Sequence, residues 1–206
     1  MKHLQGKFIV LDGPEGCGKS TQIRLLADHL GRLGVDVCCI RDPGTTRIGE
    51  QIRHILLSPE HTEMSMRCEM LLYMAARAQM MKQLIEPALG KSQCVISDRF
   101  VSSTLAYQLG GDGLSVQEIR QTAEVAMAGR WPDLTIILDI APEKSFARIH
   151  RAKDRLEQRP MEYHRHVHAN YMAQAKDDPR GYRVVNADQA VELVHADIRK
   201  AVEQVQ

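Results

Sequence analysis

The sequence lacks a marked excess of charge of either sign. It contains 27 lysines and arginines against 26 aspartates and glutamates, which leaves a formal net charge of +1. Proteins that bind nucleic acid polymers usually present a broad basic surface. The charge balance therefore predicts no nucleic acid polymer as a partner and favours small phosphorylated molecules.

Long apolar runs are also lacking. No segment approaches the roughly 20 apolar residues that are needed to span a bilayer, so we expect no membrane partner. The first five residues lead directly into an apolar run at 8–11, without the charged and apolar regions of a signal peptide. We therefore expect a cytoplasmic protein.

The cysteines form no C-x-x-C pair and do not combine with histidine at zinc-binding spacing. Cys38, Cys39 and Cys94 lie in apolar runs, which indicates reduced thiols packed in a core. Cys17 lies in a glycine-rich loop before a helical pattern. Either a reactive thiolate or a small space-filling side chain fits that position.

Alternating apolar runs and helical patterns define the predicted fold. With 206 residues, 44% of them hydrophobic, the chain is expected to form a single domain over residues 1–206. Short apolar runs at 8–11, 35–40, 94–96, 134–140 and 182–185 predict a five-stranded parallel sheet with helices on both faces, a three-layer α/β sandwich.

The longest helical pattern covers about residues 64–85 and stops before Pro87. It carries methionine, leucine and alanine around much of its circumference. A helix of this kind is usually buried on more than one side. We expect one side to pack against the sheet and the other against a second subunit, which predicts a homodimer.

A glycine-rich loop follows the first predicted strand. The pattern G-x-x-x-x-G-K-S runs from Gly13 to Ser20 and precedes an amphipathic helical pattern. Glycines let successive backbone N–H groups turn toward an anion, and the helix start adds the positive end of its dipole. In such a loop Lys19 reaches the outer phosphates and the Ser20 hydroxyl ligates Mg²⁺. The pattern therefore predicts a phosphate cradle.

Polar side chains follow the next two predicted strands. Arg41 and Asp42 come after the second strand, and Asp98 and Arg99 come after the third. Ligands of open parallel sheets bind beyond the carboxyl ends of the strands, so these residues are expected to share one crevice with the loop. Asp98 could hold Mg²⁺ or its waters opposite Ser20, or alternatively cap a helix.

Two further pairs indicate the second substrate. The guanidinium groups of Arg41 and Arg99 suit bidentate contact with a phosphate, which points to a phosphorylated acceptor. Tyr73 and Arg77 are four residues apart and share a helix face, where a ring and a planar set of donors could stack on and hydrogen-bond a base. The alternative is a core tyrosine beside a surface arginine.

Five motifs in one order resemble the thymidylate kinase family. They are residues 8–22, Arg41-Asp42-Pro43-Gly44, Leu71-Leu72-Tyr73 with Arg77, Asp98-Arg99-Phe100 through Ala106-Tyr107-Gln108, and Trp131-Pro132-Asp133-Leu134-Thr135. The resemblance extends from residue 8 to about 158. It implies a P-loop NTPase fold with a short lid at about 148–160. It also implies transfer of the γ-phosphate of ATP to thymidine monophosphate (dTMP), with Mg²⁺, in dTTP synthesis.

The resemblance also implies a role for each matching residue. Arg41 and Arg99 would hold the dTMP phosphate, Tyr73 would stack on thymine and Arg77 would bond its O4. Tyr107 would crowd the ribose 2′ position. The base site would be lined by Ser103, Thr104 and Gln108, and Glu15 would contact the sugar 3′-hydroxyl. The ATP-binding residues would be Gly13, Pro14, Glu15, Gly16, Cys17, Gly18, Lys19, Ser20 and Thr21.

The phosphate loop has Gly16 where some members of the family carry an arginine, so a cation for the transferring group must come from elsewhere. Arg151 and Arg155 lie in a polar stretch at 151–155, where a mobile lid could carry them over the phosphates. Together with Lys19 and Arg99 they are the predicted catalytic residues. The alternative for the stretch is a solvated charged loop. The chain also departs from the family at 111–113, where Gly-Asp-Gly replaces the frequent Gly-Arg-Gly.

Three other functions remain as alternatives. A kinase for another nucleoside monophosphate or small metabolite is opposed by Tyr73, Arg77 and Tyr107. A GTP-dependent switch would need an N-K-x-D segment, and Asn186-Ala187-Asp188 lacks its lysine and spacing. A protein that binds nucleotide without catalysis is opposed by the intact set Lys19, Ser20, Asp98 and Arg99.

Overall fold

Five short strands form one parallel sheet in the computed structural model, which describes residues 1–205. The strands are β1 (Phe8–Asp12), β2 (Val37–Arg41), β3 (Cys94–Asp98), β4 (Leu134–Asp139) and β5 (Tyr182–Asn186). Their order is β2-β3-β1-β4-β5, and every neighbouring pair is parallel. The predicted five-stranded parallel sheet is therefore confirmed.

Helices cover both faces of this sheet. The α-helices described within residues 1–205 are α1 (Lys19–Arg32), α2 (Arg47–Leu57), α3 (Met66–Met80), α4 (Glu86–Gly90), α5 (Val101–Tyr107), α6 (Val116–Met127), α7 (Pro142–Phe146), α8 (Met161–Asp177) and α9 (Val191–Glu203). Short 3₁₀ turns add Lys2–Leu4 and Gly111–Gly113.

The two faces of β1 feed two separate apolar cores. Ile9 and Leu11 pack with residues of α1 and α9, whereas Phe8 and Val10 pack with residues of α3 and α6. Successive side chains of a strand point to opposite faces, which explains the division. All of β1 is buried because it lies between β3 and β4 at the centre of the sheet.

The strands end later than the apolar runs indicate. Asp12 is the last residue of β1 and Asp98 is the last residue of β3, whereas the apolar runs end at residues 11 and 96. Strand β2 begins at Val37, later than the apolar run at 35–40. The ladder explains this extension, because Leu11 and Arg41 both pair in register with Asp98. Polar residues therefore occupy the final rungs of the sheet at the edge where ligands are expected.

The prediction that the long helix stops before Pro87 is wrong. Helix α3 passes at Met81 into one π-helical turn, Met81–Ile85, and then directly into α4. Pro87 lies in the first turn of α4, where its missing N–H needs no helical partner.

The prediction of core cysteines holds for only part of the set. Cys17 and Cys94 are buried, but Cys38 is half-buried and Cys39 is exposed. The difference arises because β2 is an edge strand of the sheet and is covered on fewer sides than β3. Cys68 is also exposed, on the outer side of α3.

The segment predicted as a lid joins α7 to α8. Residues 147–160 form turns and irregular backbone between these helices. Over the part of the chain that the structure describes, no helix is both long and apolar enough to cross a membrane.

Candidate active site

The phosphate loop, residues 13–18, joins β1 to α1. Its glycines at 13, 16 and 18 have φ angles of 138°, 73° and 97°, which side chains other than glycine rarely adopt. A Cβ atom at Gly13 would lie 2.6 Å from the Leu138 carbonyl oxygen, and one at Gly16 would lie 2.2 Å from that of Ser145. The loop therefore needs glycine both for its turn and for its close approach to the chain at β4 and α7.

Lys19 begins α1 and folds over this loop. Its Nζ donates to the carbonyl oxygens of Gly13 and Pro14 at 3.0 and 2.8 Å. The side chain is buried, which places the ammonium group above the loop that the sequence predicts to hold phosphate. The Cys17 Sγ also lies 3.5 Å from Nζ.

The structure decides between the two roles left open for Cys17. Burial raises the pKa of the Cys17 thiol, although the nearby charges of Lys19 and Arg99 oppose this shift. The thiol packs against the loop, 3.3 Å from the position of a Cβ atom at Gly13. Cys17 is therefore a protonated, space-filling side chain rather than a reactive thiolate.

Ser20 and Asp98 form a pair of oxygen ligands at the mouth of the loop. The Ser20 hydroxyl donates to Asp98 Oδ2 at 3.1 Å, although the residues are far apart in sequence. The alternative role of Asp98 as a helix cap is excluded, because the residue at the start of α5 is Phe100.

This pair fits the chemistry of a magnesium site. Mg²⁺ in phosphotransfer enzymes takes one or two protein oxygens and fills its remaining positions with phosphate and water. A hydroxyl and a carboxylate beside a phosphate loop match that demand. Within residues 1–205, no group of three or more histidine, cysteine, aspartate and glutamate side chains is placed to form an all-protein metal cage.

Arg99 lies between the phosphate loop and the rest of the cleft. Its backbone has a φ of 70°, which is unusual for arginine and turns the side chain back over β1. Nη1 donates to Gly13 O at 2.9 Å, and Nη2 donates to Glu15 Oε1 at 2.5 Å. The guanidinium carbon also lies 5.3 Å from the centre of the Tyr107 ring.

Electrostatics keep this arginine and its partner charged. Burial alone would raise the pKa of Glu15, but the positive charges of Arg99, Lys19 and Arg151 outweigh it and lower that pKa. Burial alone would lower the pKa of Arg99, but the charges of Glu15 and Asp12 help to raise it well above its usual value. The cleft therefore has a cation that stays protonated at any physiological pH.

Asp12 is a functional candidate that sequence reasoning missed. It is fully buried and accepts hydrogen bonds from Gly13 N at 2.8 Å and Tyr171 Oη at 2.7 Å. The Ser103 hydroxyl, predicted to line the base site, donates to Asp12 Oδ1 at 2.8 Å, while Ser103 also lines the cleft. The available signal was a charged residue at the end of an otherwise apolar strand.

Two arginines, Arg41 at the end of β2 and Arg53 on α2, both line the cleft. Arg41 is half exposed and its Nη2 donates to Glu50 Oε1 at 2.9 Å. Arg53, on α2, was not predicted; its Nη1 donates to Pro43 O at 3.1 Å. Burial, followed by the nearby charge of Arg41, lowers the pKa of Arg53. Two guanidinium groups that influence each other in this way are suited to bind one anion together.

Tyr73 and Arg77 are both buried on α3, which excludes a surface position for Arg77. Arg77 Nε donates to Asp42 Oδ2 at 2.5 Å, and Nη1 donates to Thr104 Oγ1 at 2.7 Å. Nη2 donates to Phe100 O at 2.8 Å. Arg77 thus joins α3 to the end of β2 and to α5, and its guanidinium carbon lies 5.7 Å from the Tyr73 ring centre.

One cavity of about 420 Å³ connects these groups. It has the size of an ordinary small-molecule site. The predicted residues that line it are Glu15, Gly16, Gly18, Lys19, Ser20, Thr21, Arg41, Tyr73, Arg77, Asp98, Arg99, Ser103, Thr104, Tyr107, Gln108 and Arg151. Arg53, Asp154 and Leu156 line it as well.

The two predicted lid arginines are placed differently. Arg151 lines the cavity, is 60% exposed and pairs with Glu157, with contacts of 2.8 and 2.6 Å. Arg155 is buried outside the cavity lining, where its Nε donates to Leu56 O at 2.9 Å and its Nη2 bonds the Glu69 carboxylate. Arg151 therefore lines the same cavity as the phosphate loop, whereas Arg155 does not.

The chain matches known proteins over nearly its whole length. A family model described as thymidylate kinase matches residues 11–198. The thymidylate kinase of Pelotomaculum thermopropionicum is 45% identical over 98% of this chain and 95% of that protein. The thymidylate kinase of Symbiobacterium thermophilum is 45% identical over 96% and 93%.

A solved structure agrees with these matches. The crystal structure of thymidylate kinase from Ehrlichia chaffeensis superimposes with a TM-score of 0.78 at 28% identity, and covers 97% of this chain and 100% of that one. Its fold shares the layers and the parallel sheet described above. The chain belongs to the thymidylate kinase family.

Proposed function

We propose that this protein transfers the γ-phosphate of ATP to dTMP, giving ADP and thymidine diphosphate. The observation that carries the proposal is a single cavity with the phosphate loop at one end and the Tyr73–Arg77 pair at the other. Arg99 lies between them. A phosphoryl donor and a base-bearing acceptor can therefore meet in line.

ATP is proposed to bind with its phosphates in the loop at 13–18. Backbone N–H groups, the start of α1 and Lys19 supply the positive potential there. Ser20 and Asp98 would hold Mg²⁺, which supplies neutralisation of charge on the donor phosphates.

The acceptor is proposed to lie with its phosphate against Arg99, Arg41 and Arg53. Tyr73 would stack on the base, and Arg77 would donate to its O4. Arg77 has five N–H donors, and contacts to Asp42, Met74, Thr104 and Phe100 account for four of them. Within residues 1–205, one N–H on Nη2 therefore remains to donate, and Arg77 lines the cavity. Tyr107 would limit space beside the ribose 2′ carbon, and Glu15 would contact the 3′-hydroxyl.

Catalysis then needs alignment and charge neutralisation rather than a protein nucleophile. Lys19 and Arg99 hold donor and acceptor phosphates near one another. Arg151 would be the lid cation that follows the transferring group, and its exposed position at the cavity wall supports this role.

We also propose that the protein is a cytoplasmic homodimer. The outer side of α3 supports the dimer, because Leu71 is 51% exposed there and Ala75 and Ala78 are exposed beside it. An apolar strip of this kind favours burial against a second copy.

A coupled assay of ADP release against a panel of nucleoside monophosphates tests the activity. We expect dTMP to have the highest kcat/KM, and deoxycytidine and purine nucleotides to be poor acceptors. Activity should require a divalent cation. A clear preference for another acceptor would overturn the proposed substrate.

A further inference from the structure

Glu69 is a fully buried carboxylate on α3, one helical turn before Tyr73, and the proposed reaction does not use it directly. Its Oε2 accepts from Nη2 of Arg155 and, at 3.2 Å, from Nη2 of Arg159. Its Oε1 accepts from Gln108 Nε2 at 2.6 Å. A buried carboxylate is costly unless paired and hydrogen-bonded, and these three donors supply that compensation.

The contact with Glu69 determines how the Gln108 side chain is oriented. An ionised carboxylate has only acceptors, so the Gln108 amide must present its nitrogen to Glu69 and its oxygen away from it. Gln108 lines the cavity. In the part of the chain that the structure describes, no group donates a hydrogen bond to its Oε1. This oxygen is also not fully buried. It is therefore a free acceptor at the base end.

The arrangement of Arg77 and Gln108 matches one kind of pyrimidine. Thymine and uracil present an acceptor, O4, beside a donor, N3–H. Arg77 has one N–H that remains to donate, and Gln108 Oε1 can accept. Cytosine presents the reverse order, an amino donor beside the N3 acceptor. A site built around oriented polar groups rejects an analogue that leaves those groups unpaired.

We propose that Glu69 is a positioning residue that selects bases with a protonated N3, by holding the Gln108 amide with its oxygen toward the base. Arg155 and Arg159, from the segment between α7 and α8, hold the other carboxylate oxygen and so fix the orientation of Glu69. This inference rests on the proposed function, because it concerns how the same cavity recognises its acceptor.

The first test is Glu69→Gln, which has nearly the same shape but lets the two amides pair in either sense. We expect KM for dTMP to rise about tenfold, a typical value for one hydrogen bond, with KM for ATP unchanged. The ratio of kcat/KM for dTMP to that for deoxycytidine monophosphate should fall by a similar factor. Glu63→Gln, at a side chain that is 78% exposed, is the matched control and should change neither quantity.

The second test asks whether Glu69 acts through Gln108. Gln108→Met removes the amide and should lower the same ratio. In that background, Glu69→Gln should produce no further loss of base discrimination, since no amide remains to be oriented. Additive losses in the double variant, or an unchanged ratio in Glu69→Gln, would show that Glu69 only supports the fold and would overturn the inference.

A measurement on the unmodified protein covers the case in which Glu69→Gln does not fold. The side-chain amide protons of Gln108, assigned by their loss in Gln108→Met, should exchange slowly with solvent both with and without dTMP. Rapidly exchanging protons would overturn the inference. If the wild-type protein fails to phosphorylate dTMP, the proposed function itself is wrong; an active enzyme with a freely rotating Gln108 amide refutes only the role of Glu69.

Discussion

The two ends of the cavity are built in different ways. The phosphate end combines a contiguous loop, which offers backbone N–H donors, with the partly exposed side chains of Ser20 at the start of α1 and Asp98 at the end of β3. The base end is made of buried charged side chains from separate elements, with Arg77 against Asp42 and Arg155 against Glu69. The first depends on local backbone geometry and the second on tertiary packing.

This contrast teaches how substitutions should act at each end. Side chains at the phosphate end touch the reacting groups but support little of the fold. Side chains at the base end do both, because removing one partner leaves the other charge buried and unpaired. Substitutions at the phosphate end should therefore mainly reduce catalysis, whereas substitutions at the base end should also reduce stability.

Arg77→Ala gives the largest expected effect on stability. Asp42 is fully buried and would lose the arginine that pairs with it, so the free energy of unfolding should fall by about 3–5 kcal/mol, with a higher KM for dTMP. Arg41→Ala, at a pair in which both side chains are about half exposed, should cost less than about 1 kcal/mol. Urea denaturation of both variants tests this difference. Equal losses in the free energy of unfolding would contradict it.

Arg99→Lys should give the largest loss of catalysis at the phosphate end. Lysine keeps the charge but cannot reach Gly13 O and Glu15 together, as the two guanidinium nitrogens do. We expect kcat/KM for dTMP to fall about 10²–10³-fold, the cost of losing one oriented donor to a developing charge. Arg180→Lys, on the surface, is the control; similar kinetics in both variants would make Arg99 a simple counter-charge.

The lid arginines carry the same contrast within one segment. Arg151→Ala should lower kcat about 10²-fold or more and leave dTMP affinity almost unchanged, because its contact would form mainly in the transition state. Its partner Glu157 is fully buried and would be left with the hydrogen bond from Asp154 N, so this variant should also lose stability. Arg155→Ala should reduce stability by about 3 kcal/mol, since it leaves Glu69 with less compensation, but it should not cause a comparable loss of kcat. Steady-state kinetics and thermal unfolding of both variants decide it; an unchanged kcat in Arg151→Ala would contradict the proposed role.

The sequence was most informative where local pattern determines structure. The loop glycines, the five strands and the pairing of Ser20 with Asp98 follow from contiguous motifs and from the rule that parallel strands end at one edge. The thymidylate kinase resemblance, confirmed by the family match, extended these inferences to the base end.

The sequence was least informative where charges meet across the fold. Asp12 reads as one more strand residue, and Arg53 lies on an amphipathic helix with no motif of its own. Glu69 and Arg155 are 86 residues apart, and only tertiary packing brings them together. Their separation explains why the sequence pattern groups Arg155 with Arg151 in a mobile lid over the phosphates. Pro87 was misread for a related reason, since a single π-helical turn is not visible in hydrophobic periodicity.

The smallest expected effect concerns Glu15, whose pKa in the folded protein is lowered from 4.5 because Arg99, Lys19 and Arg151 outweigh burial. A carboxyl group with a depressed pKa stabilises the fold above its unfolded pKa, and this contribution is lost as pH falls through the folded pKa. Glu15→Gln should therefore lower the free energy of unfolding by about 1–2 kcal/mol at pH 7, the value of a hydrogen bond between charged groups. The difference from wild type should narrow as the pH falls below the unfolded pKa of Glu15. Thermal unfolding across this range, with the exposed Glu60→Gln as control, tests the sign. A difference independent of pH would mean that Glu15 supports the phosphate end through its shape rather than its charge.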